Sequence, residues 1–344
     1  MSAKVKKSPL NKEFLWRRVH SLTGLFIVLF LIEHLLTNSQ AALLIGDNGE
    51  GFIRAVNFIK NLPYLPVIEI VLLGVPFAIH GFFGIKYALT GKINSYRSSG
   101  IKPSLPEYGR NRAYTWQRMT SWILLVGVIA HVAYMRFYRY PTELNFGDTR
   151  YFFTRVNMDP GLYTVADRLG VEIYTPDEIA KEEEGMQRKI KEMASTVEKA
   201  EEIREKEPKG LQSIIPIPYN RQNDSVLTKV QTLKQQERFI KALKSKSLSS
   251  TEVMTVSKDF GTATLLVVRD AFKGLGTGIL YTVFVLSAVF HGFNGLWTFM
   301  ITWGWVIRMR SQSKMVNFCI GFMIVVGFLG LAAIWGPYWI NLRN

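Results

Sequence analysis

The chain of 344 residues has a single cysteine, Cys319, and only five histidines. One cysteine excludes a disulfide framework and a Cys-ligated zinc site. It also excludes an iron–sulfur cluster held by this chain alone and a Cys-x-x-Cys-His haem attachment. Acidic residues are scarce too, 27 Asp+Glu against 42 Lys+Arg, for a formal net charge of +15. Such an excess ordinarily points to nucleic acid or anionic lipid. At 48% hydrophobic residues, however, the chain is too apolar for a disordered basic tail. Where the charges lie decides the matter.

Five apolar runs stand out, at 19–45, 65–89, 116–138, 274–307 and 316–340. Each reaches or exceeds the ~20 residues that a helix needs to cross ~30 Å of hydrocarbon. Open strands are excluded there because their edge groups would lack partners. We therefore expect five transmembrane helices. The basic N-terminus does not read as a signal peptide, since the first run is too long and carries no small-residue cleavage site.

Residues 141–270, between helices 3 and 4, are of another kind. They hold 20 Lys+Arg and 21 Asp+Glu, a net of −1. Met186, Ile190, Met193 and Val197 form a helical stripe, and Pro208, Pro216 and Pro218 break the segment. The expectation is a polar extramembrane insertion with two helical pieces, either packed or a mobile arm. The chain then divides into 1–140, 141–270 and 271–344.

Outside the insertion remain 22 Lys+Arg and 6 Asp+Glu. Sixteen of these basic residues fall on one side of a five-span chain. They are Lys4, Lys6, Lys7, Lys12, Arg17 and Arg18 at the N-terminus; Lys86, Lys92, Arg97, Lys102, Arg110, Arg112 and Arg118 around the helix 2–3 link; and Arg308, Arg310 and Lys314 between helices 4 and 5. The positive-inside rule places that side in the cytoplasm, with the insertion and the C-terminus outside.

Four of the five histidines lie inside predicted spans, one per helix: His34, His80, His131 and His291. An ionisable residue in a span is costly and marks a functional site by default. One buried histidine alone reads equally well as structural, but four on four helices do not. Neutral imidazole is a good ligand for haem iron, and two can fill both axial positions. Four ligands make two bis-histidine haems. At 1.5 Å per residue, His34 lies ~24 Å beyond Arg18 and His131 ~20 Å beyond Arg118, both near the outer face. His80 is only ~9 Å before Lys86, near the inner face. By elimination His291 partners His80.

Two local patterns accompany the histidines. His80-Gly81-Phe82-Phe83-Gly84 and His291-Gly292-Phe293-Asn294-Gly295 place small residues beside the ligand, where a flat macrocycle needs room or where helices pack closely. Trp16-Arg17-Arg18-Val19-His20-Ser21 matches Trp116-Gln117-Arg118-Met119-Thr120-Ser121. Two readings stand side by side for this second pattern. It is an interfacial anchor of Trp and snorkelling Arg, or Arg18, Arg118 and Ser21 contact haem propionates. His20 reads as a propionate contact or a surface residue, not as a ligand. Glu33 is a membrane carboxylate that relays protons or contacts a quinone, or else bonds a neighbouring hydroxyl. Glu69, near the outer end of helix 2, reads likewise or as a solvated interfacial group.

These residues resemble the di-haem cytochrome b membrane anchor of succinate:quinone oxidoreductases, the five-helix type. The resemblance rests on Asn11-Lys12-Glu13-Phe14-Leu15-Trp16-Arg17-Arg18-Val19-His20-Ser21, Phe30-Leu31-Ile32-Glu33-His34-Leu35, Gln117-Arg118-Met119-Thr120, Phe290-His291-Gly292-Phe293-Asn294-Gly295-Leu296-Trp297 and Thr302-Trp303-Gly304. It implies an all-α fold, a membrane-embedded five-helix bundle binding two b haems through His34/His131 and His80/His291. It also implies a flavoprotein and an iron–sulfur partner on the cytoplasmic side of a bacterial inner membrane. The dicarboxylate site lies on another subunit, and the electron acceptor is a quinone, for this anchor type menaquinone. Some such complexes run in reverse as fumarate reductases. Two departures limit the transfer. The insertion has no counterpart in compact members, and Lys60-Asn61 stand where some members carry an acidic residue before Leu62-Pro63.

Two other classes compete. A di-haem cytochrome b of another quinone-linked dehydrogenase would copurify with a different partner. A transporter with proton-relaying histidines would show no haem absorbance and would have discontinuous helices around a midplane site.

Overall fold

The structure, a computed structural model, describes residues 11–44, 46–91, 109–146, 149–205 and 221–343. Several residues named above lie outside the described residues: Lys4, Lys6, Lys7, Lys92, Arg97, Lys102, Pro208, Pro216 and Pro218. The chain forms two compact units, one of 1–138 with 271–344 and one of 139–270.

The first unit contains five helices long and apolar enough to cross a membrane: Lys12–Asn38, Leu65–Thr90, Gly109–Tyr138, Leu275–Thr302 and Met309–Ile340, here called spans 1 to 5. Span 1 starts before the apolar run and stops before its end. Asn11 caps it by accepting from the Glu13 amide at 3.0 Å. It closes where Asn38 Nδ2 donates to the His34 carbonyl at 2.8 Å and Ser39 Oγ to that of Leu36 at 2.7 Å, side chains that compete with the helical ladder. Span 4 ends at Thr302, short of residue 307. Gly304 takes a left-handed φ of 74°, and the Trp305 amide bonds back to the Met300 carbonyl at 3.0 Å.

Spans 2 and 3 each contain a π-helical turn, Glu69–Gly74 and Ala133–Tyr138. The first lies just before Pro76, whose missing N–H breaks the regular ladder. Glu69 and Arg136, one in each π turn, form an ion pair at 2.8 Å. Between spans 1 and 2 lies an additional helix, Glu50–Lys60, whose Phe52 is buried.

Span 4 packs on spans 1, 3 and 5, and span 1 on spans 2, 4 and 5. Polar contacts fix the alternating direction. At one end Lys86 meets Glu13 at 2.9 Å, Arg18 donates to the Thr302 carbonyl at 3.1 Å, and Arg110 reaches Gln312 at 3.2 Å. The opposite end holds the Glu69–Arg136 pair. The outward faces are apolar, with Phe82, Val126, Leu280 and Phe328 exposed, while Thr23, Thr120 and Ser287 are buried. That inversion suits a hydrocarbon surround.

The second unit departs from an all-α architecture. Besides the two expected helical pieces, Pro176–Glu205 and Arg221–Leu243, it holds helices Leu162–Leu169 and Phe260–Ala271 and a four-stranded antiparallel sheet. The strands are β1 Thr142–Phe146, β2 Thr149–Asn157, β3 Glu172–Tyr174 and β4 Glu252–Ser257, in spatial order β1-β2-β4-β3. Phe153 pairs with Val256 and Thr154 with Thr255. One face of the sheet buries Phe153, Met254 and Val256 against Ile179, Ala242 and Leu243 of the two long helices. From the other face Phe152 meets Phe260, with ring centres 5.7 Å apart. Both faces are covered, so β2 reads as a buried run rather than a clean alternation.

A capping box opens the first long helix. Glu178 accepts from the Thr175 amide at 2.8 Å, and Thr175 Oγ1 accepts from the Glu178 amide at 3.3 Å. These bonds hold the Glu178 carboxyl below its ordinary value. Within this unit Arg139 and Asp270, its first and last residues, form a buried ion pair. Asp270 also accepts from the Asn157 amide at 2.9 Å, and Arg269 grips Asp159 with two bonds of 2.8 and 2.6 Å.

Candidate functional site

Each of spans 1 to 4 contributes one histidine, and the bundle brings them together two by two. His34 and His131 have ring centres 5.9 Å apart at an interplanar angle of 82°. His80 and His291 are 6.2 Å apart at 76°. A metal–imidazole bond of ~2.0 Å plus ~1.1 Å from nitrogen to ring centre, taken twice, gives ~6.2 Å between two axial ligands of one metal. Both separations match that span, so the residues present fit a metal held from two sides. Among the described residues no cluster of three or more His, Cys, Asp or Glu could hold a bare ion. Two nitrogens alone are too few for one, whereas a haem needs only its two axial positions filled.

The outer partners of the imidazoles point the same way. His80 Nδ1 lies 3.0 Å from the His20 carbonyl, and His291 Nδ1 lies 3.2 Å from the Gln117 carbonyl. A carbonyl only accepts, so Nδ1 carries the proton in both rings and Nε2 keeps its lone pair for a ligand. Gln117 also donates to the His291 carbonyl at 3.0 Å and accepts from Asn294 at 2.8 Å, which ties span 3 to span 4. His131 Nδ1 lies 3.1 Å from the Tyr281 hydroxyl. Tyr281 was not singled out from the sequence, and Gln117 stood there only inside a motif, with no role of its own. Nothing in a single apolar helix marks them until two spans are set side by side.

His20 stands closer to the site than its interfacial position implies. Its ring stacks on His80 with centres 4.0 Å apart at 15°. Its Nδ1 is buried without a hydrogen-bond partner among the described residues. So are Tyr87 Oη, Arg118 Nε and Nη1, and the indole nitrogens of Trp297 and Trp303. All belong to the end of the bundle that carries Lys86, Arg18 and Arg110. Such orphaned groups are costly, and together they fit an anionic, acceptor-rich group such as a pair of carboxylates. Arg118 spends Nη2 on the Ala88 and Gly91 carbonyls, both at 2.6 Å. Arg18 donates to Thr302 and lies 3.7 Å from the centre of the Phe14 ring. Ser21 is half-buried one residue beyond His20.

The motif glycines divide. A Cβ on Gly292 would meet Val28 at 3.2 Å, so this glycine serves helix packing, whereas a Cβ on Gly81 would meet nothing within 4 Å. Gly24 of span 1 lies against His80, and a Cβ there would come within 2.9 Å of its Cε1. Glu33 is exposed beside His34 and has a neighbouring hydroxyl as partner, accepting from Thr37 Oγ1 at 2.9 Å.

Comparison with known proteins adds one relative. The chain is similar to the succinate dehydrogenase cytochrome b558 subunit of Bacillus subtilis (strain 168), 37% identical over 123 residues. The matched stretch covers 36% of this chain and 55% of the relative, so the chain spans about half the length of the curated relative it matches. This bears out the resemblance to the succinate dehydrogenase cytochrome b family. No family model and no solved structure matches the chain.

Proposed function

We propose that this chain is the di-haem cytochrome b membrane anchor of a succinate:quinone oxidoreductase. The observation that carries the reading is the pairing of four histidines from four spans at 5.9 and 6.2 Å. When bound, two b haems supply one-electron carriage between an iron–sulfur partner and a membrane quinone. His34 with His131 would hold one and His80 with His291 the other. The carbonyls of His20 and Gln117 orient two of these rings and raise their basicity. Arg118, His20, Tyr87, Trp297 and Trp303, with Arg18 and Ser21 nearby, would receive propionates at the basic end of the bundle.

Glu33, one residue before His34 and exposed to the hydrocarbon, is the proposed contact for quinone or for its protons. The basic end, with Lys12, Arg17, Arg18, Lys86, Arg110 and Arg112, would face the cytoplasm and dock the flavoprotein and iron–sulfur subunits. Succinate is oxidised on those partners, not on this chain. The test is purification from membranes. A flavin-bearing and an iron–sulfur subunit should come with this chain, and succinate should reduce the b-type absorbance. Copurification with a different dehydrogenase, or haem indifferent to succinate, contradicts the reading.

A further inference from the structure

The partners of the histidines are not alike. His80 and His291 each face a backbone carbonyl, which no side-chain replacement removes, and the Thr120 hydroxyl lies 3.3 Å from His291 Nδ1 besides. His131 faces a phenol, Tyr281 of span 4, at 3.1 Å. The phenol is firmly placed. Its ring meets Phe272 edge-on at 5.1 Å and Phe284 at 6.1 Å, and Phe284 in turn lies 5.9 Å from the His131 ring. Gly127, one turn before His131, leaves the room that Phe284 fills. The next residue, Thr282, is tied to span 5 by the Trp335 indole nitrogen at 3.0 Å.

We propose that Tyr281 is a positioning residue: its oxygen accepts the Nδ1 proton of His131, and so sets the ring's orientation and its electron donation to the metal. This rests on the di-haem reading above. For Nε2 to face iron, the proton of the neutral ring must sit on Nδ1, which makes Tyr281 the acceptor in this bond. A phenol oxygen is a weaker acceptor than a carbonyl, but it is the group that lies 3.1 Å from this Nδ1. Withdrawing it leaves the Nδ1 proton less engaged and the imidazole less electron-rich. Ferric iron is then less stabilised, and the potential rises.

The experiment is a redox titration of the full complex carrying Tyr281→Phe, followed optically and by the low-spin ferric resonances. Both haems should be retained. One midpoint potential should rise, corresponding to about a two- to tenfold change in the ferric-to-ferrous ratio at fixed poise. The shifted haem should be the one missing from His131→Leu. An unchanged potential, or a shift of the other haem, overturns the proposal and leaves the di-haem reading standing. A wild-type complex without haem overturns both. Should the Phe variant lose the haem, fluorotyrosine at position 281 keeps the ring and the oxygen but weakens the acceptor. A smaller upward shift then supports the proposal, and none overturns it.

Discussion

Gly24→Ala is the sharpest probe of the His80/His291 pair, because it adds one methyl group and no polar atom. The new Cβ would lie 2.9 Å from His80 Cε1 and 3.2 Å from its Nδ1, where ordinary contact begins at 3.4 Å. The ring must retreat by about 0.5 Å, comparable to the tolerance of a productive ligand position. Retreat also lengthens the 3.0 Å bond from Nδ1 to the His20 carbonyl. Span 1 cannot yield freely, since it packs on spans 2, 4 and 5. Overpacking of this kind costs about 1–3 kcal/mol. On the proposed di-haem function, at about 1.4 kcal/mol per tenfold, that should weaken retention of one haem about 5- to 150-fold. The assay is haem content per chain after washing in detergent, with the two low-spin signals resolved. The haem lost should be the one that disappears in His80→Leu, with the His34/His131 signal unchanged. Equal loss of both, or loss of the His34/His131 one alone, refutes the packing argument.

Further consequences concern the second unit. Asp270→Ala leaves Arg139 buried without its carboxylate and should destabilise that unit by about 3–5 kcal/mol. Its cleavage rate under limited proteolysis reads this, and an unchanged rate contradicts it. Lys246 is pushed down to about 8, chiefly by burial, with Arg155 and Arg139 adding to it. An unfolded lysine titrates near ~10.4, so between about 8 and 10.4 the unfolded chain binds more protons and this residue's contribution rises with pH. Melting of the wild type should therefore climb more steeply over that window than melting of Lys246→Met, and parallel slopes count against the assignment. Protease added to the outside of spheroplasts should cut between Lys181 and Lys246. Cleavage only in inverted vesicles contradicts the orientation inferred from the basic residues.

The bundle was legible because its signal is additive. Twenty apolar residues in a row leave few alternatives, and a histidine in such a run is conspicuous. Depth, read from the basic residues at the span ends, groups the histidines as the bundle places their rings, His34 near His131 and His80 near His291. The boundaries were less so. Asn38 and Ser39 end span 1 through side-chain bonds inside a run that still looks apolar. The π turns at Glu69 and Ala133 leave no periodic trace beyond Pro76. The sheet was missed although β2 and β4 are rich in β-branched and aromatic residues. They are short, buried on both faces, and flanked by charged helices that dominate the composition of the insertion. Tyr281 and the stacking of His20 on His80 are cross-helix facts, and one sequence without partners does not carry them.

The central claim is two bis-histidine haems on one chain. The most direct test is haem quantification with a reduced-minus-oxidised spectrum on the purified complex, repeated for single leucine replacements of His34, His80, His131 and His291. Two b haems per chain are expected in the wild type. One and the same haem should be lost on changing His34 or His131, and the other on changing His80 or His291. A chain without haem, or losses that cross these pairs, contradicts the account.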